Sequence, residues 1–211
     1  MGLNIAAFRK LRPIDRELTR YGVLVDGQYN WKPITAWTSF TREEIEFTDR
    51  HWPGGSEGIM PGQLYTYVER RSFRAYGGYT RWRLLLHEFA SANSEEPSTA
   101  RRAFTELMLP EVGAVAGKFV LRHPGTWLRR TAVLIDSLGV IGPTAAGKLA
   151  QDFAEHQERA DTFPALRAAR RTNDNRKWLE QYAEGCGWLE LYCEWRKSLE
   201  MAADDGAIQL N

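Results

Sequence analysis

A glycine-lysine motif late in the chain limits the folds that are available to it. Residues 142–149 read Gly-Pro-Thr-Ala-Ala-Gly-Lys-Leu, which matches the phosphate-binding loop pattern G-x-x-x-x-G-K-[ST] except at its last position. The part of the 211-residue chain that follows Leu149 has helical periodicity. The parallel sheet that surrounds such a loop in a nucleotide triphosphatase therefore has no strands from which to form.

The chemistry of the motif also differs from that of a phosphate-binding loop. Leu149 stands where a hydroxyl would coordinate Mg²⁺, and an alkyl group cannot do so. We therefore predict a helix start, with Gly142 as the N-cap and Pro143 in the first turn. Because a helix N-terminus carries unpaired N–H groups and partial positive charge, Gly142 and Lys148 are predicted to contact a phosphate or carboxylate without hydrolysis.

Most strand signals lie in the first third of the chain, although residues 138–141, Leu-Gly-Val-Ile, also look like the end of a short strand. Polar and apolar residues alternate over 44–49, and β-favouring residues fill 63–69, so both segments are predicted strands. Asp26-Gly27 is typical of a hairpin turn between two short apolar segments. Residues 3–9 fit a third strand or a short helix equally well.

Helical spacing of apolar residues dominates after Gly78. It predicts helices over about 79–90, 99–109, 128–138 and 143–162, and a last one that carries Trp188 and Leu199. The predicted fold class is α+β but mainly helical: a helical bundle with a small antiparallel sheet or ribbon from the N-terminal third. We expect one domain over 1–211, with an irregular, β-containing part over 1–78 and a helical part over 79–211.

Composition bounds the class of ligand. The chain has 28 basic and 27 acidic residues and a net charge of +1, so we expect no bulk attraction to duplex nucleic acid or to an anionic membrane. Any anion site must be local. No apolar run approaches the ~20 residues of a membrane span, and no secretory signal is evident, which together predict a cytoplasmic protein.

The densest group of ligand-binding residue types lies over 65–83. This segment holds five arginines and five tyrosine or tryptophan side chains, in a predicted strand, glycine turn and helix. Arginine binds phosphate through two parallel hydrogen bonds, and aromatic rings stack on a base, so the combination favours a nucleotide-like ligand. The alternative is a tight turn with solvated arginines and core aromatics.

Catalytic and metal chemistry find little support in the sequence. The histidines His51, His87, His123 and His156 do not have the spacing of metal ligands. We predict no catalytic residue, no metal site and no cofactor. Asp136-Ser137 interrupts an apolar stretch and is the best further polar contact to a ligand. The predicted ligand-binding residues are Tyr67, Arg71, Ser72, Arg74, Tyr76, Gly77, Gly78, Tyr79, Trp82, Arg83, Asp136, Ser137, Gly142 and Lys148.

Three segments together resemble a family of small phage-encoded proteins. They are Ser-Phe-Arg-Ala-Tyr-Gly-Gly-Tyr-x-x-Trp-Arg over 72–83, Ile-Gly-Pro over 141–143 followed by Lys-Leu-Ala-Gln-Asp-Phe over 148–153, and Trp-Arg-Lys-Ser-Leu-Glu-Met-Ala-Ala-Asp over 195–204 with a short apolar tail. Relatives in this family have an Asp-Cys-Glu-Gly-type segment before the Ile-Gly. Residues 136–139 read Asp-Ser-Leu-Gly here and lack that thiol and second acid.

The resemblance implies a phage accessory protein that acts in the cytoplasm of a host bacterium. Combined with the arginine-aromatic segment, it suggests a counter-defence sponge that binds a nucleotide-derived immune signal without turnover. Two alternatives stay open: an inhibitor that contacts a host defence protein, and a nucleotide-modifying hydrolase that uses Asp136. A homo-oligomer is also expected.

Overall fold

The structure is a computed structural model that describes residues 3–14, 23–25, 28–30, 36–75, 82, 85–86, 89, 139–170 and 187–210. Nine strands and four helices have their bounds within these ranges. The strands are β1 (Leu3–Arg9), β2 (Arg12–Ile14), β3 (Val23–Val25), β4 (Gln28–Asn30), β5 (Trp37–Ser39), β6 (Leu64–Thr66), β7 (Glu69–Ala75), β8 (Gly139–Ile141) and β9 (Ala207–Leu210). The helices are α1 (Arg42–His51), α2 (Pro143–Glu155), α3 (Gln157–Arg170) and α4 (Trp188–Ala202).

A four-stranded antiparallel sheet of order β7-β1-β9-β8 organises the described part of the chain. Strand β9 lies between β1 and β8, with Ile208 opposite both Ala7 and Ile141. Strand β1 pairs along its whole length with β7, so that Ala6 lies opposite Ser72. The sheet therefore joins segments that are far apart in sequence.

One face of this sheet packs against the helices. Alternate residues of the strands, among them Ile5 and Ile208, are fully buried beside Trp195 and Leu199 of α4 and Phe153 of α2. The spacing of the buried residues on α4 is that of one helix face. Burial of these large apolar side chains supplies the main stabilisation of the fold.

The opposite face of the sheet is only partly covered. Phe8, Val140 and Ala207 pack there with Phe40 and Tyr65, which come from the segment that contains α1 and the second sheet. That second sheet has the order β2-β6-β5 and is also antiparallel. The part of this opposite face that lies along β7 carries polar side chains instead.

A sharp bend separates β1 from β2. Lys10 adopts a positive φ of 55°, and its N–H donates to the carbonyl oxygen of Asp204. The N–H of Leu11 donates in the same way to the carbonyl oxygen of Asp205. These two bonds fix the turn after α4 against the bend, and so place β9 beside β1.

The predicted helical bundle is wrong, because antiparallel sheets account for much of the described structure. The error has two sources. Strand β7 reads Glu-Arg-Arg-Ser-Phe-Arg-Ala, in which charged residues on both faces hide the alternation of a strand. Strand β9 has only four residues, too few for periodicity to identify it.

The predicted strand over 44–49 is also wrong, since α1 occupies this segment. Thr41 and Glu44 form a capping box: the Thr41 hydroxyl accepts from the Glu44 N–H, and the Glu44 carboxylate accepts from the Thr41 N–H. Glu44 and Thr48, four residues apart, are the buried polar residues of its inner face. The capping signal outweighs the short alternation.

Other predictions are confirmed within the described residues. Strands β3 and β4 pair as the hairpin around residues 26–27 requires, and the last predicted helix forms as α4, which begins at Trp188. Residues 3–9, for which the sequence left a strand and a helix equally open, form a strand. The predicted helix over 143–162 forms as two helices that are separated at His156. Trp82, Leu85, Leu86 and Phe89 are helical, whereas the helices predicted over 99–109 and 128–138 lie outside the described residues.

Candidate functional site

A polar surface follows from the alternation of side chains along β7. Phe73 packs on the helix side against Trp195, with ring centroids 5.6 Å apart. Because successive residues of a strand point to opposite faces, Arg70, Ser72 and Arg74 all lie on the other face. All three are exposed. Strand β7 thus places two guanidinium groups on either side of one hydroxyl.

These side chains line a groove of about 440 Å³ on the sheet, which we call the β7 groove. Its lining also includes Asn4 and Ala6 of β1 and Gln209 of β9. Ala6 lies opposite Ser72 on one side and Gln209 on the other, so these three residues form one row across the strands. The small Ala6 side chain forms the floor between the two polar ones.

The two arginines are held by different kinds of contact. The Arg74 Nε donates to Asn4 Oδ1 at 2.9 Å, across a directly opposed pair of the ladder. The Arg70 guanidinium lies over the Phe8 ring, 5.9 Å from its centroid. Neither guanidinium forms an ion pair with an acidic side chain within the described residues.

A buried carboxylate orients the opposite wall of the groove. Glu44, 3% exposed, accepts a hydrogen bond from Gln209 Nε2 at 2.8 Å. The other carboxylate oxygen accepts from the backbone N–H of Thr41 at 2.6 Å and from its hydroxyl at 2.9 Å. Gln209 Nε2 also lies 3.5 Å from the carbonyl oxygen of Ser39. The Gln209 amide is therefore held from the α1 side.

Several predicted site residues lie elsewhere. Arg71 points to the helix face of the sheet and pairs with Glu194 of α4. Trp82 is fully buried, stacks on Trp195 with ring planes 10° apart, and donates through Nε1 to the carbonyl oxygen of Trp188. The Trp82 ring belongs to the core and offers no face to a ligand.

Tyr67 lies beside the floor of the partly covered face. Its ring is half-buried and its centroid is 5.1 Å from that of Phe8. Phe8 in turn supports Arg70. Tyr67 therefore supports the arginine end of the β7 groove without being part of its lining.

Gly142 is the N-cap of α2 with Pro143 in the first turn, as predicted. The backbone approaches the 55–58 segment closely there: the Gly142 N–H donates to the carbonyl oxygen of Gly55 at 2.8 Å. Lys148 is exposed on α2. Neither Gly142 nor Lys148 lines the β7 groove, so the helix start and the arginines do not share one pocket.

Half of the predicted site residues lie outside the residues that the structure describes. Those outside the described residues are Tyr76, Gly77, Gly78, Tyr79, Arg83, Asp136 and Ser137. The groove also contains residues that sequence reasoning missed, namely Asn4, Arg70 and Gln209. A single polar residue inside the apolar Ala-Ile-Gln-Leu segment was the one available signal for Gln209.

Comparison with protein-family models, with curated proteins and with solved structures finds no match to this chain. The described residues contain no cluster of three or more His, Cys, Asp or Glu side chains that is placed to hold a metal ion. Among the helices that the structure describes, none combines the length and the apolar character that a membrane crossing requires.

Proposed function

We propose that this chain binds a phosphate-bearing, nucleotide-derived small molecule in the β7 groove. The observation that carries the proposal is the placement of Arg70, Ser72 and Arg74 on one strand face, lining a groove of about 440 Å³. No residue of the described lining is acidic. Since the net charge of the chain is only +1, this positive groove is a local feature.

The spacing along β7 suits a phosphate. Residues two apart on a strand are separated by about 6.6 Å, so the Ser72 hydroxyl lies midway between two arginine side chains that are long enough to converge on it. A guanidinium donates two parallel hydrogen bonds to phosphate oxygens, and such charge-assisted bonds are the strong ones. Arg74 is already oriented by Asn4, which reduces the entropy that is lost on binding.

The size of the groove fits a nucleotide. Small-molecule pockets range over about 300–1,000 Å³, and the β7 groove lies within that range. Tyr76 and Tyr79 follow β7 in the sequence, and they are the residues that the sequence predicts to stack on a base. A chain that retains such a ligand without turnover would act as a sponge for a host immune signal, in keeping with the resemblance to phage-encoded proteins.

Calorimetric titration with pyrophosphate, AMP, cyclic dinucleotides and ADP-ribose tests the proposal. We expect Arg74→Gln to weaken the binding of every phosphate ligand by about 10- to 100-fold, because it removes charge-assisted hydrogen bonds. Arg159→Gln removes the same charge from an exposed site on α3 and should leave binding unchanged. No binding by the native chain, or equal effects of the two variants, would contradict the proposal.

The fate of the ligand separates a sponge from an enzyme. The loaded protein would be heated and the released ligand identified by mass spectrometry. An intact ligand supports binding without turnover, whereas a hydrolysed product supports the alternative of a nucleotide-modifying enzyme. If no ligand in the panel binds, the remaining alternative is an inhibitor that contacts a host protein.

A further inference from the structure

The β7 groove has a defined hydrogen-bond polarity, which follows from two amide side chains. An Asn or Gln amide presents oxygen on one side and nitrogen on the other, and its partners decide which atom faces where. Asn4 and Gln209 both line the groove, on strands β1 and β9. Each amide has a hydrogen-bond partner of fixed type: Arg74 can only donate to Asn4, and the Glu44 carboxylate can only accept from Gln209.

At the arginine end, the free groups are donors. Arg74 can only donate, so the atom of Asn4 that meets the Arg74 Nε is the amide oxygen, 2.9 Å away. Asn4 therefore offers its NH₂ group to the groove. Together with the Arg70 and Arg74 guanidinium groups, this end presents donors that match an anion.

At the opposite wall, the free group is an acceptor. The Glu44 carboxylate can only accept, so the atom of Gln209 that meets it at 2.8 Å is the amide nitrogen. The remaining Gln209 Oε1 receives no hydrogen bond within the described residues. Because Glu44 is buried and already accepts from Thr41, the amide cannot turn over without placing two acceptors against each other.

The strand spacing sets the distance between the two ends. Ser72 and Gln209 lie two strands apart in the same row, which corresponds to about 9.6 Å between their Cα atoms. The Gln209 side chain leans further away, towards α1. In a nucleoside 5′-phosphate the ribose hydroxyls lie close to the phosphate, while the exocyclic amino group of the base lies at the far end of the molecule.

We propose that Gln209 is a specificity-determining residue that accepts a hydrogen bond from the exocyclic amino group of a base, while Arg70 and Arg74 hold the phosphate. The ligand class is therefore a nucleotide whose base is adenine or cytosine, which carry an amino group at the position where hypoxanthine and uracil carry a carbonyl. This inference rests on the proposed function and adds to it a preference for one class of base.

Two pairs of nucleotides test the preference directly. AMP and IMP differ at position 6 of the purine, where an amino donor is replaced by a carbonyl acceptor, and CMP and UMP differ in the same way. We expect AMP to bind about tenfold more tightly than IMP, and CMP more tightly than UMP, because a carbonyl would leave Gln209 Oε1 unpaired against another acceptor.

The variant Gln209→Met removes the acceptor and keeps the length of the side chain. It should reduce the AMP-to-IMP ratio of affinities to about one, because neither base then meets a hydrogen-bond acceptor at this position. Gln151→Met makes the same change at an exposed position of α2 and should preserve the native ratio. Thermal unfolding of each variant verifies that the fold is retained.

The outcomes separate the two proposals. Pyrophosphate binding that depends on Arg74, with equal affinities for AMP and IMP in the native chain, overturns the role of Gln209 and leaves the anion site standing. A native preference for AMP that survives in Gln209→Met also overturns it. Failure of pyrophosphate and of all four nucleotides to bind overturns both proposals.

Discussion

At the scale of single residues, the two glycines of the 142–149 motif perform different tasks. A Cβ atom on Gly142 would lie 2.4 Å from the carbonyl oxygen of Glu57. Because that oxygen belongs to the backbone, the overlap can be relieved only by a shift of the main chain. A Cβ on Gly147 would lie 3.7 Å from the Cβ of Ala203, which is an ordinary contact. A phosphate-binding loop would need both glycines, whereas the first turns of α2 need only one.

Alanine substitutions should therefore have opposite effects on stability. We expect Gly142→Ala to lower the free energy of unfolding by about 2–3 kcal/mol through steric overlap. Gly147→Ala should raise it by about 0.5–1 kcal/mol, because alanine is the better residue inside a helix. Urea unfolding of both variants measures the two changes, and a similar loss in both would show that the second glycine has a further role.

Tyr192 gives the stability of the protein a specific dependence on pH. Its hydroxyl donates to the carbonyl oxygen of Phe153 at 2.9 Å, and burial raises its pKa well above the ordinary value, with Arg196 acting in the opposite direction. The folded state thus holds the proton more tightly than the unfolded state. The stabilisation from Tyr192 is complete below pH 10 and decreases as the pH rises above 10 towards the folded-state pKa.

Replacing Tyr192 by phenylalanine should separate the hydrogen bond from the titration. At pH 8 we expect Tyr192→Phe to be less stable by about 1 kcal/mol, the usual value of one hydrogen bond. Between pH 10 and pH 11 the native chain should lose stability more steeply than the variant, so the two unfolding curves should approach each other. Urea titrations across this range provide the measurement, and parallel curves would refute the assignment.

At the scale of secondary-structure elements, a buried hydrogen bond attaches α1 to strand β8 of the main sheet. The Thr48 hydroxyl of α1 accepts from the N–H of Val140 in β8 at 2.9 Å, and Thr48 is fully buried. Thr48→Val keeps the shape but leaves that N–H unpaired, which should cost about 1–3 kcal/mol of unfolding free energy. The matched control Thr162→Val, on an exposed face of α3, should change stability by less than about 0.5 kcal/mol. Equal effects in urea unfolding would show that the Val140 N–H finds another acceptor.

Local signals in the sequence identify only some of the elements. The Gly142-Pro143 helix start and the apolar face of α4 follow from capping and periodicity, and the structure confirms both. The predicted strand ends at residue 69, where β7 begins, because arginines that face both the groove and Glu194 hide the alternation of β7. Its strand character depends on pairing with β1, and a partner 60 positions or more away leaves no mark in a local pattern.

At the scale of the whole molecule, the candidate site exists only after distant segments meet. Ser72 and Arg74 were predicted as ligand contacts from residue type alone, whereas Asn4 and Gln209 join them through the pairings of β1 with β7 and β9. Arg74 and Lys148, both predicted to contact the ligand, do not line the same pocket. Helix α2 packs on the helix side of the sheet, whereas the groove opens on the opposite face. The sequence therefore predicts which residue types can bind an anion, but it does not predict the face of the sheet on which each of them lies.

The position of β9 makes the last few residues essential to the entire fold. Ala207, Ile208 and Leu210 are each fully buried, and β9 is the only link between β1 and β8 in the sheet of the described residues. Ending the chain after Gly206 removes two large core side chains, each worth about 1.5–3 kcal/mol, together with both ladders of hydrogen bonds. Since a domain of this kind has a total stability of about 5–15 kcal/mol, we expect the shortened chain to be unfolded.

The graded substitution Ile208→Ala keeps the strand and tests the same argument within the folded state. Ile208 contributes to the core between Ala7 and Ile141, so its truncation should lower the unfolding free energy by about 2–4 kcal/mol through lost burial and a cavity. Met60→Ala deletes a side chain of similar size that is 64% exposed and should cost less than about 0.5 kcal/mol. Circular dichroism during urea unfolding measures both, and a folded chain ending at Gly206 would mean that β1 and β8 are held together without β9.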